Sequence, residues 1–201
     1  MIETLENAYG MNILDIIYTM EAVFVISGIV GFVYEELFYR IDLRKWVKRG
    51  ATFGPWILIY SIGGILLAFI VYHFRAHWIV VFLLSALITG FIEYIAGYLI
   101  LKLTGKRYWD YNMEIWSWGN IGGFVAARSV IIFGIGGIAL VYLIFPIVIR
   151  VFESPHGEAW KHIMMVLFFV YIFDLILHRA MKIPVYCYSE DQENIHAKTG
   201  Q

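Results

Sequence analysis

Five apolar runs divide the chain, at roughly 13–38, 55–72, 78–101, 121–148 and 160–177. A helix that crosses a bilayer needs about 20 predominantly apolar residues, and each run approaches or exceeds that length. The first and fourth are longer, which predicts tilt or an end lying in the interface. Charged residues make up 15% of the 201 positions, against about 25% in soluble domains. The expected fold is all-α: a polytopic membrane helix bundle of about five transmembrane helices. Residues 1–182 are expected to form one transmembrane helical domain and 183–201 a polar cytoplasmic tail.

Five crossings put the termini on opposite sides. Loop Lys and Arg residues mark the cytoplasmic side, and eleven of the fifteen fall on one side: Arg40, Arg44, Lys45, Lys48, Arg49, Lys102, Lys106, Arg107, Arg179, Lys182 and Lys198. Arg75, Arg150 and Lys161 fall on the other, with an N-terminal segment bearing Glu3, Glu6 and Asp15. The orientation is N-out/C-in, in a multi-pass protein of the cell (plasma) membrane. Trp46, Trp56, Trp109, Trp116 and Trp118 fall near the inner boundary and Trp78 and Trp160 near the outer one, where such rings settle at the headgroups. No Lys or Arg precedes Arg40, so the first run lacks the basic flank of a cleavable signal peptide and should be retained.

Composition also excludes partners and chemistries. A net charge of −1 argues against nucleic acid, which needs a clustered basic face. The single Cys187 forms no internal disulfide and supplies no metal motif. It lies in the tail, which makes it the natural labelling site for topology. His73 and His77 stand four apart on a short outer loop with no third ligand, so no metal is expected, and no cofactor motif is present.

Ionisable groups inside the runs are the functional signal, because charge is costly in hydrocarbon. With the orientation above, Glu35 ends run one, Glu93 lies in the inner half of run three, and Trp109-Asp110-Tyr111 follow. Asn120 and Arg128 begin run four, Gly54-Pro55 opens run two, and Asp174 lies in the inner half of run five. Polar groups from five helices thus converge on one inner-leaflet zone. Glu93, with Ala86, Gly90 and Gly97, shares a helical face of small residues that lets helices approach closely, so it points at protein. Arg128 is expected within direct or water-bridged reach of Glu93, with Glu35 the second choice. A purely structural ion-pair network is the alternative, and Asp110 has Lys106 and Arg107 nearby. Glu36 reads as structural, paired with Arg40 one turn on. Pro55 is expected in the first turn of the second helix, where a missing N–H costs nothing.

An ordered set of short motifs carries a resemblance. Gly31-Phe32-Val33-Tyr34-Glu35, Lys48-Arg49-Gly50-Ala51-Thr52-Phe53-Gly54-Pro55-Trp56-Ile57-Leu58-Ile59-Tyr60, Glu93-Tyr94, Trp109-Asp110-Tyr111 and Asn120-Ile121-Gly122-Gly123 together resemble the putative ABC-transporter type IV (CmpB-like) membrane family. The resemblance spans about residues 28–146, with either Asn120 or Ser117 standing at the family's Asn. It implies a permease. The matched positions and the embedded charges give a candidate ligand or coupling-ion site of Glu35, Arg49, Gly54, Pro55, Tyr60, Glu93, Tyr94, Trp109, Asp110, Tyr111, Asn120 and Arg128.

Three functions compete. A permease-like transport component needs an ATPase on a separate chain, since no Gly-x-x-x-x-Gly-Lys-Ser/Thr loop is present, and five helices are few for a pathway, which favours a homodimer. A membrane-interface enzyme could use Glu35, Glu93 and Asp110 as acid and base, with Arg49 and Arg128 holding a lipid or polyprenyl phosphate. No Ser/His/Asp or Cys/His set supports a covalent nucleophile, so catalysis is the lesser reading. The third is a non-catalytic accessory or sensor protein.

Overall fold

The computed structural model describes residues 10–188; Glu3, Glu6 and Lys198 lie outside the described residues. The chain is all-α. Four helices are long and apolar enough to cross a membrane: α1 (Ile13–Asp42), α3 (Trp78–Thr104), α4 (Ala127–Phe152) and α5 (Gly157–Ala180), with the shorter apolar α2 (Leu58–Ile70) between α1 and α3. Among the described residues there is no strand, only one isolated bridge between Ile121 and Val125.

Close approach is set by small side chains. A Cβ on Gly31 would overlap the Tyr60 ring, and one on Gly137 would overlap Ser85, so α1 meets α2 and α3 meets α4 almost backbone to backbone. Without a hydrophobic drive between helices in lipid, this packing is the main source of association. At one end of the bundle Ile16, Met20, Val23, Leu67, Val71, Val81, Val141 and Phe145 close an apolar core. Helix α4 changes pitch at Leu140–Ile144, a π-turn in which the Phe145 N–H reaches the Leu140 carbonyl. Pro146 follows immediately, and its missing N–H removes the α-type partner of a carbonyl one turn back, which is where a π-bulge relieves the ladder.

Two helix starts fall later than expected. The second helix begins at Leu58, three residues beyond Pro55, which is therefore outside its first turn. Asp174 of α5 accepts from the Phe53 and Gly54 amides at 2.8 and 2.7 Å and from Trp56 Nε1 at 2.8 Å. The Ile57 amide donates to the Gly28 carbonyl of α1 at 3.1 Å. These bonds hold 50–57 in a non-helical path that turns at Gly50, whose φ is +90°. Likewise α4 starts at Ala127 rather than near 121, because Asn120-Ile121-Gly122-Gly123 forms a tight turn: Asn120 Oδ1 accepts from the Gly123 amide at 2.8 Å, and Gly122 and Gly123 have φ of +62° and +78°.

Beyond α5 the chain folds back across the same end. Tyr188 is buried, its amide bonded to the Arg107 carbonyl and its hydroxyl donating to Asp42 Oδ2 at 2.9 Å. Cys187 is 5% exposed, so the tail thiol is covered rather than open to a labelling reagent.

Candidate functional site

The end of the bundle reached by the C-termini of α1 and α3 and the N-termini of α2 and α4 is closed by residues 105–126. Gly105, in the left-handed conformation, ends α3 with its N–H on the Leu101 carbonyl, the usual device for turning a chain out of a helix. Asp110 then accepts from the Asn112 amide and side chain at 3.0 and 2.8 Å, and Arg107 lies 3.6 Å from it. Trp109 Nε1 donates to the Phe124 carbonyl at 2.9 Å. So pinned, the segment is drawn under the helices, and it carries Tyr111 and Glu114 inward.

Three carboxylates meet there, Glu93 and Glu114 buried and Glu35 half-buried, each with a different partner. Glu35 accepts from Arg49 Nε at 2.7 Å. Glu93 accepts from the Tyr111 hydroxyl at 2.6 Å and the Ser129 hydroxyl at 2.8 Å. Glu114, its side chain 1% exposed, pairs with Arg128 Nη2 at 3.1 Å and accepts from the Tyr39 hydroxyl at 2.6 Å. Arg128 is thus the partner of Glu114, not of Glu93 or Glu35 as the sequence reading expected. The reason is topological: the 105–126 segment inserts a carboxylate beside the arginine, while Glu93 on α3 is met by hydroxyls. Burial pushes the Glu114 carboxyl up to about 7, against the pull of the Tyr39 hydroxyl and Arg128. Burial likewise raises the Tyr111 hydroxyl, which keeps it a donor to Glu93.

These groups border a half-open cavity of about 140 Å³ between the helices. Six of the expected site residues line it: Glu35, Tyr60, Glu93, Trp109, Tyr111 and Arg128. The other six do not. Arg49 stands behind Glu35, its backbone amide on Glu36 at 3.0 Å and its guanidinium 4.3 Å from the Tyr39 ring. Glu36 therefore receives that amide rather than Arg40. Gly54 and Pro55 belong to the loop tied to Asp174. Tyr94 packs edge-on against Phe124 at 5.4 Å, and Asp110 and Asn120 shape the turns of the 105–126 segment.

Glu114, Tyr34, Tyr39 and Ser129 escaped the sequence reading. Hydroxyl groups on apolar helices carry no charge signal, and Glu114 sits among Met113, Ile115 and Trp116 in a connecting segment, where a carboxylate reads as solvated. The remaining wall is mostly apolar, with Phe38, Ile92, Phe133 and Leu140 beside Ser27 and Thr89. The Arg128 guanidinium lies 3.9 Å from the Phe38 ring and 5.2 Å from that of Tyr111, and its Nε and Nη1 are buried with no hydrogen-bond partner among the described groups. The arrangement can hold a small molecule chiefly by apolar contact.

A family model described as "Putative ABC-transporter type IV" matches residues 22–178, a span that contains every lining residue of the cavity. Neither a curated protein nor a solved structure matches the chain.

Proposed function

The chain belongs to the putative ABC-transporter type IV family, and from that premise we propose that it is the permease-like membrane component of a transport system whose ATPase is a separate chain. The observation that carries the reading is the cavity itself: side chains from four helices and one connecting segment line a half-open space between the helices. Its walls combine apolar contact with ionisable groups, the combination expected of a small-molecule site. In this reading the protein is a multi-pass component of the plasma membrane with N-out/C-in topology, which sets the cavity at the inner leaflet beside the loops where an ATPase would dock. A homodimer would supply enough helices for a pathway. The twelve expected residues act at two distances, some at the cavity wall and the others by fixing the segments that form it. Transport is preferred over lipid-phosphate chemistry because Arg49 and Arg128, the two candidate phosphate holders, each hold a carboxylate instead.

The test is purification of the tagged chain from native membranes, followed by mass spectrometry and an ATP-hydrolysis assay. A stoichiometric ATPase subunit, lost when the loops at 102–107 or 43–49 are replaced, is expected. A chain that purifies alone, with no ATP hydrolysis above background and no ATP-dependent uptake in membranes, would sink the transport assignment.

A further inference from the structure

The cavity is a slot that runs along the helices. On α1 its lining residues Ser27, Val30, Tyr34 and Phe38 are spaced three to four apart, and on α4 the lining ends at Leu140 and Ile144. At about 1.5 Å per residue, the stretch of α1 from Glu35 back to Ser27 is about 12 Å long. The slot lies between two closely packed helix pairs, α1 with α2 and α3 with α4. Leu67 and Leu140, which belong to the apolar core, close its far end. Along its flank Val30 is 52% exposed and Gly136 is exposed, yet both line the space. A Cβ on Gly136 would meet nothing within 4 Å. The slot is therefore open sideways at mid-helix, and in a bilayer that side faces acyl chains.

The near end is polar, and only part of it is available to a ligand. Arg128 Nε and Nη1 are buried, and both oxygens of Glu93 and of Glu114 already accept hydrogen bonds. Glu35 differs. Its side chain keeps 15% exposure, and only Oε2 accepts, from Arg49 Nε at 2.7 Å; Oε1 accepts from none of the described groups. Tyr34 and Tyr60 lie within charge-interaction range of this carboxylate. Their rings are 6.3 Å apart, and Phe133 meets Tyr60 edge-on at 5.7 Å. An open carboxylate oxygen beside ring faces suits a cation, because both attract positive charge. Charge balance agrees. Glu35, Glu93 and Glu114 stand against Arg49 and Arg128, and Glu93 is supplied by hydroxyls alone, so one added positive charge completes the set.

We propose, resting on the reading of the protein as a permease-like membrane component, that the slot takes a single-chain amphiphilic amine from the bilayer. The ammonium group donates to Glu35 Oε1 beside the Tyr34 and Tyr60 rings. The alkyl chain runs between the two helix pairs towards Leu67 and Leu140, having entered past Val30 and Gly136.

Photoaffinity labelling of the full chain in zwitterionic nanodiscs tests this. The probes are octylamine carrying a diazirine near its chain end and the matching alcohol and carboxylic acid, with labelled peptides read by mass spectrometry. At neutral pH the amine is expected to label 59–67 and 133–144 saturably and to be displaced by unlabelled octylamine. It should bind at least about tenfold more tightly than the alcohol, and the acid should not label. This comparison is made on the parent chain and needs no variant to fold. Glu35→Gln should bring the amine down to the level of the alcohol, whose labelling stays as in the parent. Gly63 lines the slot, and a Cβ there meets only Thr89 Cγ2, at 4.0 Å, so Gly63→Leu fills the space and should abolish saturable labelling by amine and alcohol alike. Alcohol or acid labelling equal to the amine's would overturn the cation assignment and leave the ligand site standing. Labelling that does not saturate, or that survives Gly63→Leu, would put the amine in the bilayer and overturn the site. No labelling by any probe would overturn the amine proposal, and with a co-purifying ATPase would leave the transport role intact.

Discussion

At the scale of single residues, the energetics turn on Arg128 and Glu114. Burying an ion pair brings little net stability, but removing one partner strands the other, at about 3–5 kcal/mol. Arg128→Met should therefore lower the melting temperature in detergent more than the double variant Arg128→Met/Glu114→Gln does. Strictly additive losses would mean that the 3.1 Å contact carries no coupling. The same carboxyl predicts a pH dependence. Its folded-state value of about 7 lies above the ordinary 4.5, so between those values the folded protein holds a proton that the unfolded chain has released. This group's contribution to stability is then fully present below about pH 4.5 and declines as pH rises towards 7. Melting followed across that window should show the decline in the parent protein and a flatter profile in Glu114→Gln. Glu35, Glu93 and Arg128 were legible in the sequence because a charge inside an apolar run stands out. Their pairing was not, because it depends on where the 105–126 segment puts Glu114, and no helical spacing encodes that path.

At the scale of elements, α5 is the least embedded of the long helices, and Asp174 is its tie to the loop before α2. That carboxylate takes three donors from residues 53–56, while Trp56 stacks on Tyr171 at 4.7 Å. Hydrogen bonds to a charged group contribute about 1.5–3 kcal/mol each. Asp174→Ala should cost about 3 kcal/mol or more, and hydrogen exchange should accelerate at 50–57 and in α5 before it does in α3 or α4. Unchanged exchange at 50–57 would mean the loop is held by packing alone. The bond also explains the misjudged start of α2. Gly54-Pro55 has the composition of a helix entry, but a carboxylate 119 positions away from Pro55 and the Gly28 carbonyl keep the chain out of a helix as far as Ile57. Apolar length placed the cores of all five helices. Their ends were set by side chains from elsewhere in the fold.

At the scale of the whole molecule, the unequal ends of the bundle carry the topology prediction. One end is apolar, closed by Ile16, Val71, Val81 and Val141. The other collects Arg49, Glu93, Glu114 and Arg128, and with them most of the loop Lys and Arg residues. Positively charged loops are retained in the cytoplasm, so the cavity end should face inward and the 72–77 turn outward. The native thiol cannot report this, because Cys187 is 5% exposed and its Sγ lies 3.3 Å from the Val185 carbonyl. Two engineered thiols can, in a Cys187→Ala background. Ala76→Cys sits in the exposed turn at the apolar end, and Met181→Cys replaces a side chain that is 58% exposed just beyond α5. A membrane-impermeant maleimide should label Ala76→Cys in intact cells and Met181→Cys only after the membrane is opened. The reverse pattern would invert the protein and put the cavity at the outer face, out of reach of a cytoplasmic ATPase. Labelling of both in intact cells would mean an even number of crossings between them, so that one of α3, α4 and α5 does not span.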